Sequence, residues 1–230
     1  MKVLAVFVFL IVAANAAEDY CYKQSVQACS GSASARKLIS TSTDKCSARY
    51  GAIEHVVSDL QAYANNHIIK SFELLMMSTH FGNYETNRPG FQKVLRELSD
   101  TAWEDAFDLI KYIGKRGEKM NFGMPAPSGE EQQEIDDSGK YELYELESLA
   151  KALDMEKELA LEAHGIHKKA TRSREQYHDP EVSAYIEEKF VHRHADIIRK
   201  LSGYISDVRG FFTGNDGPLA LYLFDEYLKG

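Results

Sequence analysis

The chain has 230 residues and a mass of 26.0 kDa, with 44% apolar and 27% charged residues. That suits a globular protein and excludes wholesale disorder. Lysine plus arginine number 27 against 35 acids, a net charge of −8, the wrong sign for a nucleic-acid binder whose affinity rests on neutralising phosphates.

Met1-Lys2 is a short basic start, and Val3–Ala14 is an apolar run too short to span a bilayer. Ala14-Asn15-Ala16 has the small-x-small form of a signal-peptidase site. The expectation is a signal peptide over residues 1–16, passage through the secretory lumen (ER/Golgi), and release into extracellular fluid without a membrane anchor. An extension over 17–48 follows, rich in Ser, Ala and Thr, and it holds all three cysteines, Cys21, Cys29 and Cys46. In an oxidising compartment an odd number leaves one over. One internal bridge plus one disulfide to another subunit is expected, and the sequence does not say which cysteine is left. No Asn-x-Ser/Thr sequon occurs.

From about Arg49 to Phe81, apolar residues recur at helical steps: Ile53, Val57, Leu60, Ala64, Ile68, Phe72 and Leu75. Asn83–Pro89 punctuates the chain. A second stripe runs Phe91, Leu95, Leu98, Ala102, Ala106, Leu109, Ile113 and ends at Lys115-Arg116-Gly117, with basic residues suited to the helix dipole and Gly to the stop. Residues 117–137 show little pattern. A loop that long needs a reason, and a helix bundle supplies one, since a crossover lets neighbouring helices lie parallel.

The third helix places Leu146, Leu149, Leu153, Glu156, Ala160, Ala163 and His167 on one line. Asp179-Pro180 supplies a cap followed by Pro at the first helical position. The fourth helix carries Ile186, Phe190, His194, Ile197, Leu201, Tyr204, Val208 and Phe211, and Leu219–Leu228 forms a short apolar fifth helix. The fold class is all-α: a four-helix bundle with a long crossover loop and a short C-terminal helix, spanning 49–230.

At the level of motifs, KSFELLMMSTHF (Lys70–Phe81), RPGFQK (Arg88–Lys93), LAKALDMEKEL (Leu149–Leu159), Asp179–Glu187 and YLFDEYL (Tyr222–Leu228) resemble ferritin in matching order. With the leader and the cysteines, the chain is most similar to the secreted insect type and its light-chain homologue. The resemblance implies a ferritin-like bundle in a mixed shell of twenty-four light and heavy subunits, holding iron as ferric mineral with iron(II) in transit.

A ferroxidase centre needs carboxylates and a His converging inside one bundle, usually with Glu-x-x-His on a helix. The single Glu-x-x-His here, Glu175–His178, lies in the turn before Asp179. By resemblance the second-helix Glu and His ligands fall on Ala102 and Asp105, the first-helix Glu on His67, a Tyr on Leu74, the third-helix Glu on Glu156, and the fourth-helix Gln on His194. Ala102 has no donor atom, so the resemblance implies that iron is not oxidised on this chain but on a heavy-chain partner. His67, Asp105, Glu156 and His194 then form a buried, mutually bonded set or, alternatively, an altered metal site with residual ferroxidase activity.

Glu97, Asp100, Glu104 and Asp108 share one face of the second helix, away from its apolar line. Taken alone this is a solvated acidic surface. The resemblance makes Glu97, Asp100 and Glu104 cavity-facing acids that seed ferric mineral, with Thr101 departing from the pattern. It also places Ala184 and Glu187 at the three-fold iron channel, one acid where the family has two. His164 and His167, three apart on the third helix, could clamp a metal, but without a carboxylate partner they are read as structural. A secreted helical carrier of an apolar ligand is the remaining alternative. It explains neither the acidic face nor the apolar last helix.

Overall fold

The computed structural model describes residues 21–22, 24–25, 46–123, 144–172, 178–212 and 216–230. Residues 1–16, Cys29 and residues 124–143 lie outside the described residues, and with them the expected leader and most of the expected loop. The chain divides into two compact units, Met1–Ala48 and Arg49–Gly230. In the first, Cys21 and Cys46 are joined by a disulfide, and the Ser25 hydroxyl donates to the Cys21 carbonyl.

The second unit is helical, with no strand among its described residues. Its elements are α1 (Ile53–Phe81), α2 (Pro89–Lys115), α3 (Glu145–Ala170), α4 (Pro180–Ile186), a π-helical turn (Glu187–Val191), α5 (His192–Phe211) and α6 (Gly217–Lys229). Together α4, the π turn and α5 make the fourth bundle helix. Helix α1 packs along α2 and against α3, α3 packs along α5, and α6 lies on α2.

The α2 line is nearly as expected: Phe91, Leu95, Ala102, Ala106, Leu109 and Ile113 are buried, and Leu98 is half-buried. On α1 the second half departs from it. Phe72 is exposed, and the buried positions there are His67, Lys70, Ser71, Leu74, Met77, Ser78 and Phe81. Several of these are polar, so a periodicity read from apolar residues follows the wrong line. Apart from His67, these polar groups are bonded: Ser71 donates to the Ile68 carbonyl, Ser78 to the Gln92 carbonyl, and Lys70 to the Met155 carbonyl and Glu158.

Arg116, expected only to suit the dipole at the end of its helix, does more than that. It is 1% exposed and locks one end of the bundle. Its guanidinium reaches Asp179 at 2.7 and 3.3 Å, Glu181 at 2.5 Å, the Tyr50 carbonyl at 2.9 Å and the Tyr112 hydroxyl at 3.2 Å. Asp179 is the cap foreseen for the fourth helix, accepting from Val182 N–H, and it accepts from Ala52 N–H at the start of α1 as well. Gly117 beyond α2 has φ +80°, a left-handed stop that glycine adopts freely. The described start of the crossover is tied to α1, where Gln61 donates to the Lys119 carbonyl and Asn65 to those of Asn121 and Gly123.

At the other end α6 buries Phe224, Asp225 and Leu228 while Leu219, Tyr222, Leu223 and Tyr227 stay exposed. Asp225 accepts from the N–H groups of Gly90 and Phe91 at 2.9 and 3.0 Å, satisfying two orphan donors at the start of α2. A Cβ at Gly90 would lie 2.0 Å from the Asp225 carbonyl oxygen, so only glycine admits α6 there. The core forms two apolar clusters. One is built around Leu60, Leu109, Ile166 and Ile186, the other around Phe81, Phe91, Leu149 and Leu201. Between them lies a polar belt.

Candidate functional site within the bundle

The belt takes one residue or more from each long helix. His67 comes from α1, Ala102 and Asp105 from α2, Glu156 from α3 and His194 from α5, and all of them line a cavity with room for about one water. The four polar positions expected to converge do converge, and all are buried. Only Glu156 and His194 bond one another directly; Asp105 and the far side of His194 are taken by Arg193 and Tyr63.

Glu156 Oε1 lies 2.6 Å from His194 Nδ1, and His194 Nε2 lies 2.7 Å from the Tyr63 hydroxyl. With the carboxylate ionised, Glu156 only accepts, so Nδ1 carries the proton and Nε2 accepts from the phenol. Asp105 is bonded to the guanidinium of Arg193. Burial pushes its carboxyl up to about 6, against the pull of Arg193. Tyr63 is driven upward as well, by burial first and then by the Asp105, Glu162 and Glu156 charges, so its phenol stays protonated.

His67 stands apart. It is 1% exposed, and neither ring nitrogen has a hydrogen-bond partner among the described residues. The nearest carboxylate oxygen, on Asp105, is 3.8 Å from Nδ1. Burial above all, with the Arg193 and Lys70 charges adding to it, holds its basicity well below the usual imidazole range, so the ring is neutral. It packs edge-on to Tyr63, with ring centres 4.5 Å apart, and stacks on His194 at 6.0 Å. Ala102 forms cavity wall and offers no donor atom. Leu74 belongs to the second apolar cluster. Among the described residues, no group of three or more His, Cys, Asp or Glu side chains is arranged to hold a metal ion.

Two participants were not foreseen, Tyr63 and Arg193. Tyr63 sits one turn before His67, and the signal that could have found it was this i, i+4 spacing. For Arg193 the signal was general: a carboxylate on a buried line needs a cation. Which cation depends on the bundle.

Glu97, Asp100, Glu104 and Asp108 are all exposed on α2, on the side away from the core. Asp100 pairs with Arg96 at 2.9 Å and Asp108 with Lys111 at 3.4 Å, while the Thr101 hydroxyl turns back to the Glu97 carbonyl. Glu187 is exposed in the π turn and Ala184 is exposed on α4. His167, which lacks a carboxylate neighbour in sequence, gains one across the fold: its Nε2 is 3.5 Å from Glu187 Oε2.

A family model described as a ferritin-like domain matches residues 58–211. The chain is 42% identical to a ferritin light chain of Trichoplusia ni, over 100% of this chain and 98% of that protein. To a ferritin light chain of Drosophila melanogaster it is 40% identical, over 98% and 96%. The crystal structure of Trichoplusia ni secreted ferritin superposes with a TM-score of 0.79 at 42% identity, covering 92% of this chain and 99% of that one.

Proposed function

The chain belongs to the ferritin family and its cargo is iron; from that premise we propose that it is the non-catalytic light subunit of a secreted ferritin. In this reading it shares a twenty-four-subunit shell with a heavy-chain homologue. Iron(II) passes through polar channels to which Glu187 contributes, is oxidised on the heavy partner, and collects as ferric mineral on Glu97, Asp100 and Glu104.

The observation that carries the reading is Ala102. It stands in the cavity wall among His67, Asp105, Glu156 and His194 and contributes no oxygen. Two irons held side by side need a carboxylate bridging them. The remaining acids are engaged, Asp105 by Arg193 and Glu156 by His194, so a cation entering there must break one buried pair and one part-buried pair. Removing one partner of a buried pair costs about 3–5 kcal/mol. The outward acids of α2 face no such cost. The ion pair of Asp100 with Arg96 is solvent-exposed and such pairs are worth about 0–1 kcal/mol, and carboxylate oxygens are hard ligands suited to ferric iron.

The same reading assigns residues 1–16 to a cleaved leader, 17–48 to the cysteine-bearing extension and 49–230 to the bundle. It sends the protein through the secretory lumen to extracellular fluid. No helix among the described residues is long and apolar enough to cross a membrane. With Cys21 and Cys46 bonded to each other, Cys29 is the thiol assigned to the subunit cross-link.

The experiment is oxygen uptake on adding iron(II) to the purified chain, alone and then co-assembled with its heavy partner. No uptake alone and rapid uptake together is the expected result, with mineral growth in the mixed shell slowed when Glu97, Asp100 and Glu104 are all changed to Ala. Rapid uptake by the chain alone would replace this reading with the residual-ferroxidase one. Unchanged mineral growth in the triple variant would remove the nucleating role.

A further inference from the structure

We propose that Tyr63 is a redox-active tyrosine, a buried sink for one oxidising equivalent, with His194 and Glu156 as its built-in proton acceptor. This goes beyond iron storage, and it holds whether or not the chain oxidises iron itself.

A phenol that loses an electron becomes strongly acidic and must lose its proton in the same event. In a buried site that is possible only where a base already touches the hydroxyl. Tyr63 is 1% exposed and has such a base, His194 Nε2 at 2.7 Å. The base is prepared in turn: Nδ1 bonds the Glu156 carboxylate at 2.6 Å, which stabilises the imidazolium that forms.

A one-electron oxidant has an aromatic route to this site. The Tyr63 ring lies 5.3 Å from Phe190, Phe190 lies 5.8 Å from Tyr185, and Tyr185 stacks on Tyr112 at 3.8 Å, with ring planes 2° apart. Among the described residues the Tyr185 hydroxyl has no hydrogen-bond partner, so no side-chain base is in place to take its proton. Tyr112 bonds Glu181 but also accepts from Arg116, whose positive charge opposes a developing positive charge on the ring. The equivalent therefore comes to rest on Tyr63.

The balance is simple. A hydroxyl radical, the kind of oxidant that forms where iron(II) meets peroxide, takes one electron and becomes hydroxide. The Tyr63 O–H bond breaks, its proton forms an N–H bond on His194 Nε2, and a neutral tyrosyl radical remains. Iron(II) reverses the step by giving one electron to the phenoxyl oxygen, which takes the proton back as the metal becomes iron(III).

The test uses the full-length assembled protein free of iron, so that it does not depend on the storage reading. Photogenerated tris(bipyridine)ruthenium(III) supplies the oxidant, and the sample is freeze-trapped for electron paramagnetic resonance. A neutral tyrosyl signal is expected in the wild type and its loss in Tyr63→Phe, which keeps the ring against Phe190. Glu156→Gln, which removes the charge behind the imidazole, should shorten the lifetime of the radical. Isotopic labelling of histidine in the wild type gives a reading that no folding defect can confuse, because coupling of the radical to a histidine nitrogen is expected. A signal that survives Tyr63→Phe, that disappears in Tyr112→Phe instead, or that shows no histidine coupling overturns the proposal.

Discussion

Replacing Arg116 by Met keeps an unbranched stem of similar reach but removes the guanidinium, and with it bonds to Asp179, Glu181, Tyr112 and the Tyr50 carbonyl. Breaking a buried ion pair from one side costs about 3–5 kcal/mol, because the other charge is left desolvated. Asp179 is not wholly orphaned, since the Ala52 and Val182 N–H groups each still donate to it at 3.1 Å. The expected loss is therefore at the low end, about 3 kcal/mol. Lysine at this position retains the charge, but a point-like ammonium cannot span two carboxylates and a carbonyl at once, so Arg116→Lys should lose about 1–2 kcal/mol.

The assay is guanidinium unfolding of the full-length chain, followed by far-ultraviolet ellipticity, with pH as a second axis. Burial alone would raise Asp179, but the Arg116 hydrogen bond, assisted by the backbone of Val182 and Ala52, holds its carboxyl below the ordinary 3.8. A depressed folded value means stability that is present above the unfolded value and lost as pH falls through the folded one. That acid loss should shrink in Arg116→Met. A Met variant within about 0.5 kcal/mol of wild type would refute the reasoning. It would mean that desolvation of the guanidinium already cancels everything its bonds contribute.

Asp105 should impose the opposite pH dependence. Its folded value of about 6 lies above the ordinary 3.8, so the folded state holds the extra proton between the two, and stability falls as pH rises through that window. About two units correspond to about 3 kcal/mol. Asp105→Asn should abolish this component of unfolding curves collected at pH values across the window, and an unchanged slope would assign it to another group. Cys29→Ser should remove a cross-linked species from non-reducing gels while the bond between Cys21 and Cys46 persists. A species that remains means that one of those two cysteines makes the link.

The helices were legible in the amino-acid order alone, because their periodicity, caps and stops are local. Asp179-Pro180 opening the fourth helix and Gly117 ending the second required no knowledge of neighbours. That order also brought His67, Asp105, Glu156 and His194 forward as a converging set, through a resemblance to ferritin rather than from spacing. Only the tertiary structure decided what those residues bond. Arg193 meeting Asp105 and Tyr63 meeting His194 are contacts across 88 and 131 residues, and no local pattern encodes which side chains face each other across a bundle. The same holds for His167 and Glu187, and for Arg116, whose place beside Lys115 suggests a solvated helix end. Burial depends on what packs against a helix, and in the second half of α1 that packing encloses His67, Lys70, Ser71 and Ser78 while leaving Phe72 outside.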